Sequence, residues 1–399
     1  MLIQSISGED WRTVLSNVPV PLSVENDPLL SHALETLTEG GRIAKDIGSD
    51  LHRNCDLPGL TALARMIKQS RFGNRVFFNE NLHVNTTNIC TLACRFCAFR
   101  RGSRHSEAYS LSAEEFVSRI EPYRGVIDEV HAVGGLHPEW TIDNYLEIYE
   151  MTKSNFPEIS IKSLTAVEVK HIASRSNLSI KQTLKKMHKS GLNSLPGGGA
   201  EILIDSIRDR ICMGKEKSSE YLEIHATAHE MGIPTNCTML FGTIESIEDR
   251  MTHFDVLRTQ QDDSGGFQCF VPYPFLEDNT RLPEANLASA DEVIRVIALS
   301  RIMLDNIPHI KAYRMNIGDH LASIAINSGA DDIDGTVGHE EIMHVAGSTT
   351  SVDYDRNKLA RLIESSGQEP VKRDSTYSRF ETIAPETITE SKALPVIGQ

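Results

Sequence analysis

The spacing of apolar residues along the chain changes character at about residue 75. Before this point, segments such as DPLLSHALETLTEGGRIA and GLTALARMIKQSRFG repeat apolar positions at intervals of three and four, which predicts amphipathic helices. After it, short apolar runs alternate with amphipathic helical segments such as AEEFVSRI and SSEYLEIHATAHEMG. This alternation indicates βα units and a parallel sheet.

Eight of the short apolar runs qualify as strands, and they lie at 82–85, 129–133, 160–166, 192–195, 235–241, 267–271, 309–314 and 332–336. Eight strands separated by helices predict an α/β fold, a complete (β/α)8 barrel of the TIM type. An open barrel or a barrel of six units is the alternative. The chain then divides into an N-terminal helical segment (1–79), the barrel (80–345) and a C-terminal extension (346–399). The extension has one helix around NKLARLIESSG and a tail, from about Pro385, that we expect to be flexible.

The composition restricts the partners of the protein. Forty Lys and Arg residues stand against 55 Asp and Glu residues, which gives a net charge of −15. Nucleic-acid binding relies on clustered basic side chains, so the charge disfavours a nucleic-acid partner and a tRNA-modifying enzyme. The N-terminal stretch MLIQSISGEDWRTVL has no basic region followed by an apolar run, and no stretch reaches the roughly 18 apolar residues of a membrane span. We therefore expect a soluble, cytosolic protein with no membrane partner.

Three of the seven cysteines form one motif, in which Cys90, Cys94 and Cys97 have the spacing C-x3-C-x2-C. Three thiolates can hold three irons of a [4Fe-4S] cluster and leave the fourth iron open to an exchangeable ligand. Alternatively, His83 or His105 completes a Cys3His zinc site, although zinc motifs usually come as two ligand pairs separated by a loop. The other cysteines are scattered singly and predict buried side chains, not a disulfide framework: Cys55, Cys212, Cys237 and Cys269.

Glycine-rich motifs follow several predicted strands, at the end of a barrel where enzymes carry their chemistry. Gly134 and Gly135 follow the second strand and either form a turn or let a backbone carbonyl approach a ligand closely. The run PGGGAE at 196–201 lacks the lysine and the helix spacing of a P-loop, which favours a ligand lying against bare backbone.

Three ionisable side chains at strand ends leave two interpretations open. Glu168 is either a solvated acid at a helix N-terminus, which is a favourable place for one, or an acceptor for the hydroxyls of a ribose. His137 and His309 are either packed and hydrogen-bonded or catalytic.

The motifs taken together resemble one group of radical S-adenosylmethionine (radical SAM) enzymes. The run NTTNICTLACRFCAFRR has an aromatic residue, Phe96, just before the last cysteine, and it is followed in order by GGLHP, TAVE, LPGGGAE, DNIPHIKA and DDIDGT. The group contains aminofutalosine synthase, dehypoxanthine futalosine cyclase and a deazaflavin synthase subunit, and the likeness covers about residues 80–375. HAVGGLHPEW, KSLTAVE and GTVGHEEIMHVAG look most like the aminofutalosine synthases, with the cyclases second.

The resemblance implies a [4Fe-4S] cluster held by the three cysteines, with S-adenosylmethionine on the open iron. Within this site, the backbone of Phe96 would meet the adenine, Gly134 and Gly135 would receive the methionine amino group, and Glu168 would bind the ribose. Many radical SAM enzymes have an acidic residue after the two glycines. This chain has Leu136 there, which puts the details of amino-group binding in doubt.

The resemblance also implies a reaction in menaquinone biosynthesis. The 5'-deoxyadenosyl radical would add to 3-[(1-carboxyvinyl)oxy]benzoate to give 6-amino-6-deoxyfutalosine, with release of methionine and bicarbonate. The reductant would be a low-potential electron donor such as flavodoxin or ferredoxin. The substrate carries two carboxylates, and cations at strand ends or in loops are candidates to pair with them, foremost Arg100 and Arg314, then Arg101 and Lys311. Each of the four is otherwise an ordinary exposed cation. For the protein as a whole, a zinc-stabilised binding module is the remote alternative to an enzyme.

Overall fold

The computed structural model describes residues 8–384. The expected flexible tail from about Pro385 lies outside the described residues. Within them, no helix is long and apolar enough to cross a membrane.

The described chain folds into helices and short strands. The helices are α1 (Trp11–Leu15), α2 (Leu22–Glu25), α3 (Pro28–Thr38), α4 (Lys45–Asn54), α5 (Leu57–Phe72), α6 (Ala113–Ile120), α7 (Ile142–Asn155), α8 (Ala166–Arg175), α9 (Ile180–Lys189), α10 (Asp205–Ile211), α11 (Ser218–Glu230), α12 (Ile247–Ser264), α13 (Ala290–Met303), α14 (Arg314–Ile317), α15 (Asp319–Ala325), α16 (Ile342–Val345) and α17 (Arg356–Ser365). The strands are β1 (Arg75–Phe78), β2 (Asn81–His83), β3 (Glu129–Ala132), β4 (Ser160–Ser163), β5 (Leu192–Ser194), β6 (Thr235–Phe241), β7 (Phe267–Pro274), β8 (His309–Ala312), β9 (Asp332–Ile333), β10 (Glu369–Arg373) and β11 (Phe380–Thr382).

Strands β2 to β9 form a closed parallel barrel. Two runs of paired strands, β2-β3-β4-β5 and β6-β7-β8-β9, make up its wall. Single parallel bridges join the runs at both seams, Leu195 with Thr235 and Asn81 with Thr336. All eight predicted strands are present, so the prediction of a complete (β/α)8 barrel is confirmed and the open and six-unit alternatives are wrong.

Local sequence signals fix where several barrel helices begin. Ser112 caps α6 by accepting a hydrogen bond from the Glu115 N–H, while the Glu115 carboxylate accepts one from the Ser112 N–H. Similar reciprocal caps begin α8, α9 and α12. Each satisfies backbone donors that the first helical turn leaves free, which turns the chain from strand into helix at a defined residue.

The N-terminal segment is helical, as predicted, and it packs on the outside of the barrel. Helix α5 lies against α13, and α4 lies against α12. Arg12 reaches the Asp305 carboxylate at 2.8 Å, and the buried Arg71 donates to the Asp305 carbonyl at 2.6 Å. The segment ends in a strand that the sequence did not separate from β2, because RVFFNENLHVN reads as one continuous strand.

The C-terminal extension pairs with this extra strand. Strand β1 lies between β9 and β10 in parallel, and β11 joins β10 antiparallel. The segment after β10 covers the N-terminal end of the barrel, where Ser375 donates to Glu129 and Tyr377 donates to Asp332 at 2.8 Å. Helix α17, which the sequence predicted, packs against β10.

Candidate active site

The three motif cysteines lie on a long loop between β2 and α6, at the C-terminal end of the barrel. A hydrogen bond within the loop joins its two sides, with Cys90 N donating to Arg101 O at 3.0 Å. The loop is tied to its neighbours as well, with Thr91 N donating to Leu136 O at 3.0 Å and Arg95 N donating to Ile211 O at 2.7 Å. These bonds fix the loop against the segments that follow β3 and α10.

The arrangement of the cysteines does not match a site for a single metal ion. All seven cysteines are free thiols, with Cys94 buried and Cys90 and Cys97 half-buried. Among residues 8–384, no three His, Cys, Asp or Glu side chains converge closely enough to hold one ion. Zinc requires four ligands within about 2.0–2.3 Å of one centre, whereas the cysteines of a cubane bind separate irons. The structure therefore gives no support to the zinc alternative, and His83 and His105 do not join the cysteines.

Gly134 and Gly135 are glycines because the cysteine loop touches their backbone. A Cβ on Gly135 would lie 2.2 Å from Ile89 O, and a Cβ on Gly134 would lie 2.5 Å from Thr86 Oγ1. The Gly135 N–H donates to Thr87 O at 2.7 Å. Their own carbonyls accept no hydrogen bond from the residues that the structure describes. Close approach therefore explains both glycines, and their carbonyls remain available to a donor.

Glu168 joins this glycine pair to the next strand end. Its carboxylate accepts the Gly134 N–H at 2.9 Å and the Thr165 N–H at 2.7 Å, and Thr165 Oγ1 donates to it at 2.7 Å. Burial raises the pKa of Glu168 to about 7. Glu168 completes the cap of α8, so it is an acid in the first turn of a helix, but its side chain is buried and the expectation of a solvated acid is wrong. Its role at a ribose stays a prediction.

A cavity of about 240 Å³ opens beside the cysteine loop and runs into the barrel. Phe96 and Cys97 line it on the loop side, and Gly198 and Gly199 line it as well, so the contact of a ligand with their backbone stays a prediction. Apolar side chains form much of the remaining wall: Val133, Leu240, Phe275, Leu276, Ile342 and Met343. No lysine or arginine of the described chain lines this cavity.

His131, Tyr273 and Tyr313 were not singled out from the sequence as cavity residues, and His83 was considered only as a zinc ligand. His83 and His131 stack at 4.4 Å between centroids, and Tyr273 and Tyr313 meet edge to face at 5.0 Å. The signal for the histidines was present, since both occupy alternate, inward-facing positions of NLH and EVH. Strands β2 and β3 place them in register.

Glu340 is a further residue that was not singled out, although it lies in the quoted run GTVGHEEIMHVAG. It lines the cavity and accepts the N–H groups of Met343 at 2.7 Å and His344 at 3.1 Å. His83 Nδ1 lies 3.9 Å from its carboxylate. Burial raises the pKa of Glu340 to about 7, so this carboxyl can hold a proton near neutrality.

Arg100 and Arg101 bind other residues of the cysteine loop. Arg100 donates to Cys90 O at 3.3 Å. Arg101 donates to Ala98 O at 2.8 Å and binds Glu107 at 2.9 Å. The structure therefore brings neither Arg100 nor Arg101 to the cavity, and both stabilise the cysteine loop instead.

Arg314 and Lys311 have partners of their own. Arg314 is fully buried, donates to Ser351 O at 2.9 Å and lies 4.1 Å above the Tyr354 ring. It is absent from the cavity wall, so it does not reach a substrate there. Lys311 pairs with Asp332 and faces a smaller space deeper in the barrel.

The two remaining histidine candidates are hydrogen-bonded, which agrees with the first of the two interpretations given for them. His137 Nδ1 accepts the Glu139 N–H at 3.2 Å. His309 lies 2.5 Å from Asp331 and stacks on Tyr377 at 4.1 Å, on the side of the barrel away from the cysteine loop. Their surroundings indicate packing roles.

Comparison with known proteins agrees with this geometry. Residues 84–257 match the family description "Radical SAM superfamily", and residues 264–386 match "CofH/MqnC C-terminal region". Two solved structures share the fold: methylornithine synthase (TM-score 0.67, 19% identity, 84% of this chain and 96% of that one) and the FeFe-hydrogenase maturase HydG from Carboxydothermus hydrogenoformans (TM-score 0.69, 17% identity, 92% and 86%).

Three curated relatives match over most of their length. Aminodeoxyfutalosine synthase of Thermus thermophilus is 38% identical over 88% of this chain and 96% of its own. The 5-amino-6-(D-ribitylamino)uracil–L-tyrosine 4-hydroxyphenyl transferase of Methanothermobacter thermautotrophicus is 36% identical over 82% of this chain and 91% of its own. Cyclic dehypoxanthine futalosine synthase of Streptomyces coelicolor is 31% identical over 88% of this chain and 89% of its own.

The fold and the cysteine loop define a radical SAM enzyme, which uses a [4Fe-4S] cluster and S-adenosylmethionine. The chain belongs to the family that contains aminodeoxyfutalosine synthase, cyclic dehypoxanthine futalosine synthase and the tyrosine 4-hydroxyphenyl transferase. The resemblance read from the sequence is thus confirmed at the level of the family.

Proposed function

We propose that this enzyme joins the 5'-deoxyadenosyl group of S-adenosylmethionine to 3-[(1-carboxyvinyl)oxy]benzoate. The product would be 6-amino-6-deoxyfutalosine, an intermediate of menaquinone biosynthesis, with methionine and bicarbonate released. The observation that carries the proposal is the 38% identity to aminodeoxyfutalosine synthase across 96% of that protein's length.

The residues at the strand ends have separate tasks in this proposal. Cys90, Cys94 and Cys97 would hold three irons of the cluster. When bound, the cluster supplies the electron that splits S-adenosylmethionine into methionine and a 5'-deoxyadenosyl radical. The free carbonyls of Gly134 and Gly135 would receive the methionine amino group. The electron would come from a low-potential carrier such as flavodoxin or ferredoxin.

The wall of the cavity suits addition of a carbon radical to an alkene. Such a radical must meet the double bond before it meets water or another hydrogen donor. Much of the wall is apolar, with Phe275, Leu276 and Ile342 among its residues. Residues of barrel strands such as His131 also line the cavity, so it reaches into the barrel, where the aryl ring would lie. The lining therefore combines apolar surface with polar groups such as His83 and His131.

Two other reactions of the family are the competing candidates. Relatives named as the hydroxyphenyl transferase and the cyclic futalosine synthase are 36% and 31% identical to this chain. The fate of the adenosyl group separates the synthase from the cyclase, because a synthase incorporates it into product while a hydrogen-abstracting enzyme releases it as 5'-deoxyadenosine.

The test is anaerobic turnover of the reduced holoenzyme with adenine-labelled S-adenosylmethionine and 3-[(1-carboxyvinyl)oxy]benzoate. Label should enter a nucleoside that carries the benzoate group, and 5'-deoxyadenosine should be a minor by-product. Label found almost wholly in 5'-deoxyadenosine, together with conversion of dehypoxanthine futalosine, would establish the cyclase instead. Label in 5'-deoxyadenosine that depends on tyrosine and 5-amino-6-(D-ribitylamino)uracil would establish the transferase.

A further inference from the structure

A second, smaller space of about 30 Å³ lies in the barrel beneath the main cavity. His83, His131, Tyr273 and Tyr313 line both spaces, so the two adjoin each other at these four side chains. Side chains alternate along each strand, which puts Asn81 one layer below His83 and Lys311 one layer below Tyr313. We call this lower space the barrel pit. It lies on the side of these four side chains away from the cysteine loop, where Asn81 and Glu129 begin their strands.

Four residues that line the barrel pit each carry a buried polar atom without a partner among the described residues. The atoms are Asn79 Nδ2, His83 Nδ1, Asn236 Oδ1 and Asp334 Oδ2, and none of these four residues is more than 6% exposed. Buried polar atoms normally have hydrogen-bond partners, so four without one on residues around a single small space indicate a polar occupant. Asn79 Nδ2 is a donor, whereas Asn236 Oδ1 and Asp334 Oδ2 are acceptors. Burial raises the pKa of the Asp334 carboxyl, which favours the protonated form that can donate.

Neutral hydrogen-bond donors face the same space. The side chains of Asn81, Asn236, Tyr273 and Tyr313 make no hydrogen bond to another described residue. Burial raises the pKa of both tyrosines above the ordinary value, so both hydroxyls keep their protons. Amide N–H and hydroxyl groups of this kind can surround a carboxylate without bringing in a further charge.

The cations of the barrel pit are already compensated. Lys162 pairs with Glu129 at 2.7 Å, while Arg373 binds Asp332 at 2.6 Å. Lys311 also pairs with Asp332. A lysine ammonium has three N–H groups, so each of the two lysines keeps donors beyond its ion pair. Paired lysines can thus add hydrogen bonds to a bound anion while the acids balance their charge.

We propose that the barrel pit receives the aryl carboxylate of the substrate, bound by the side-chain amides of Asn79, Asn81 and Asn236 and the hydroxyls of Tyr273 and Tyr313. This inference rests on the proposed function and deepens it. With the aryl carboxylate in the barrel pit, the vinyl group at the other end of the substrate lies toward Phe96 and Cys97. The pit residues take the place of Arg100 and Arg314 as the partners of that carboxylate.

The test exchanges an amide for a carboxylate of the same size. Asn236→Asp should raise the KM for 3-[(1-carboxyvinyl)oxy]benzoate at least about tenfold, because it removes donors and adds a like charge. The same variant should prefer the analogue in which the aryl carboxylate is replaced by a carboxamide, while the native enzyme should prefer the carboxylate. A merely structural role for Asn236 would not invert that preference. Asn155→Asp, on the exposed end of α7, is the control for net charge and should behave like the native enzyme.

The outcomes separate this inference from the proposed function. If the native enzyme does not turn over 3-[(1-carboxyvinyl)oxy]benzoate, the proposed function fails. If it does, but Asn236→Asp keeps the native KM and preference, the barrel pit holds ordered water only and the inference is overturned. Should Asn236→Asp fail to fold, Tyr273→Phe replaces it: a several-fold higher KM for the carboxylate substrate would support the inference, and an unchanged KM would overturn it.

Discussion

Replacing Gly135 by alanine should remove the cluster while leaving the barrel folded. The new methyl group would lie 2.2 Å from Ile89 O, 2.7 Å from Ile89 C and 3.0 Å from Cys90 Cβ. Ordinary van der Waals contact begins at 3.4 Å, so the loop would have to retreat by about 1.2 Å, and the obstacle is backbone that no rotamer change can clear. Metal sites tolerate about 0.2 Å, so Cys90 would leave its place as a ligand.

Overpacking of this kind costs about 1–3 kcal/mol, which a barrel of this size can absorb. The Gly135→Ala protein should therefore show native circular dichroism and a modestly lower Tm, but little of the iron and the visible absorption of the native enzyme after anaerobic reconstitution. Gly102→Ala is the matched control in the same loop, because its Cβ would meet only Arg100 Nη2, at 3.8 Å. A Gly135→Ala protein with native iron content and native cleavage of S-adenosylmethionine would refute the reasoning.

Three further predictions concern the cluster, the pH dependence and the stability of the barrel. Cys94→Ala should abolish iron binding and S-adenosylmethionine cleavage with native circular dichroism, because a loop cysteine adds little to the core. Burial raises the pKa of Glu340 from 4.5 to about 7, so the native state holds a proton that the unfolded chain releases. The free energy of unfolding of the apoprotein should therefore fall by at most about 3 kcal/mol as the pH rises from 4.5 to 7, and Glu340→Gln should lose this component in urea titrations. Arg301→Gln should cost about 3–5 kcal/mol in urea unfolding because it leaves the fully buried Asp331 without its guanidinium partner.

Each of these predictions has its own control. Cys237→Ala, at a buried cysteine outside the motif, should keep its iron, and iron-replete Cys94→Ala protein would disprove the ligand assignment. Identical pH slopes for native and Glu340→Gln protein would contradict the raised pKa. Arg53→Gln, which breaks an exposed pair with Glu248, should cost under about 1 kcal/mol. An equally small cost for Arg301→Gln would show that Asp331 needs no buried cation.

The sequence predicted the barrel well because its signals are local. Each barrel strand is a short apolar run, and a cap such as Ser112 with Glu115 marks the start of the following helix within four residues. Strand β1 was missed because its partner β10 is almost 300 residues further along the chain. The break between β1 and β2 also involves a contact with a residue far along the chain, because Lys372 binds the buried Glu80 carboxylate at 2.7 Å. Neither β10 nor Lys372 can be inferred from the pattern of apolar residues near residue 80.

The sequence predicted the candidate cluster ligands of the site, but not the residues that line its cavity. The cysteine spacing and the glycine pair lie within continuous stretches of chain, so their patterns are visible. That Gly135 faces Ile89 O, or that His83 stacks on His131, depends on the register of β2 against β3. From the sequence, Arg314 is a cation at a strand end and therefore a candidate partner for a substrate carboxylate. Its partner Tyr354 comes from the C-terminal extension, a contact that only the folded chain reveals.

The central claim is that the cysteine loop holds a cluster whose open iron binds S-adenosylmethionine beside Gly134 and Gly135. The most direct measurement is electron–nuclear double resonance on the anaerobically reduced holoenzyme, with the cofactor isotopically labelled at the amino nitrogen or the carboxylate oxygens. The account predicts strong hyperfine coupling of both labels to the reduced cluster, as direct bonds to one iron require. Absence of coupling from both labels in a protein with a full complement of iron would contradict it.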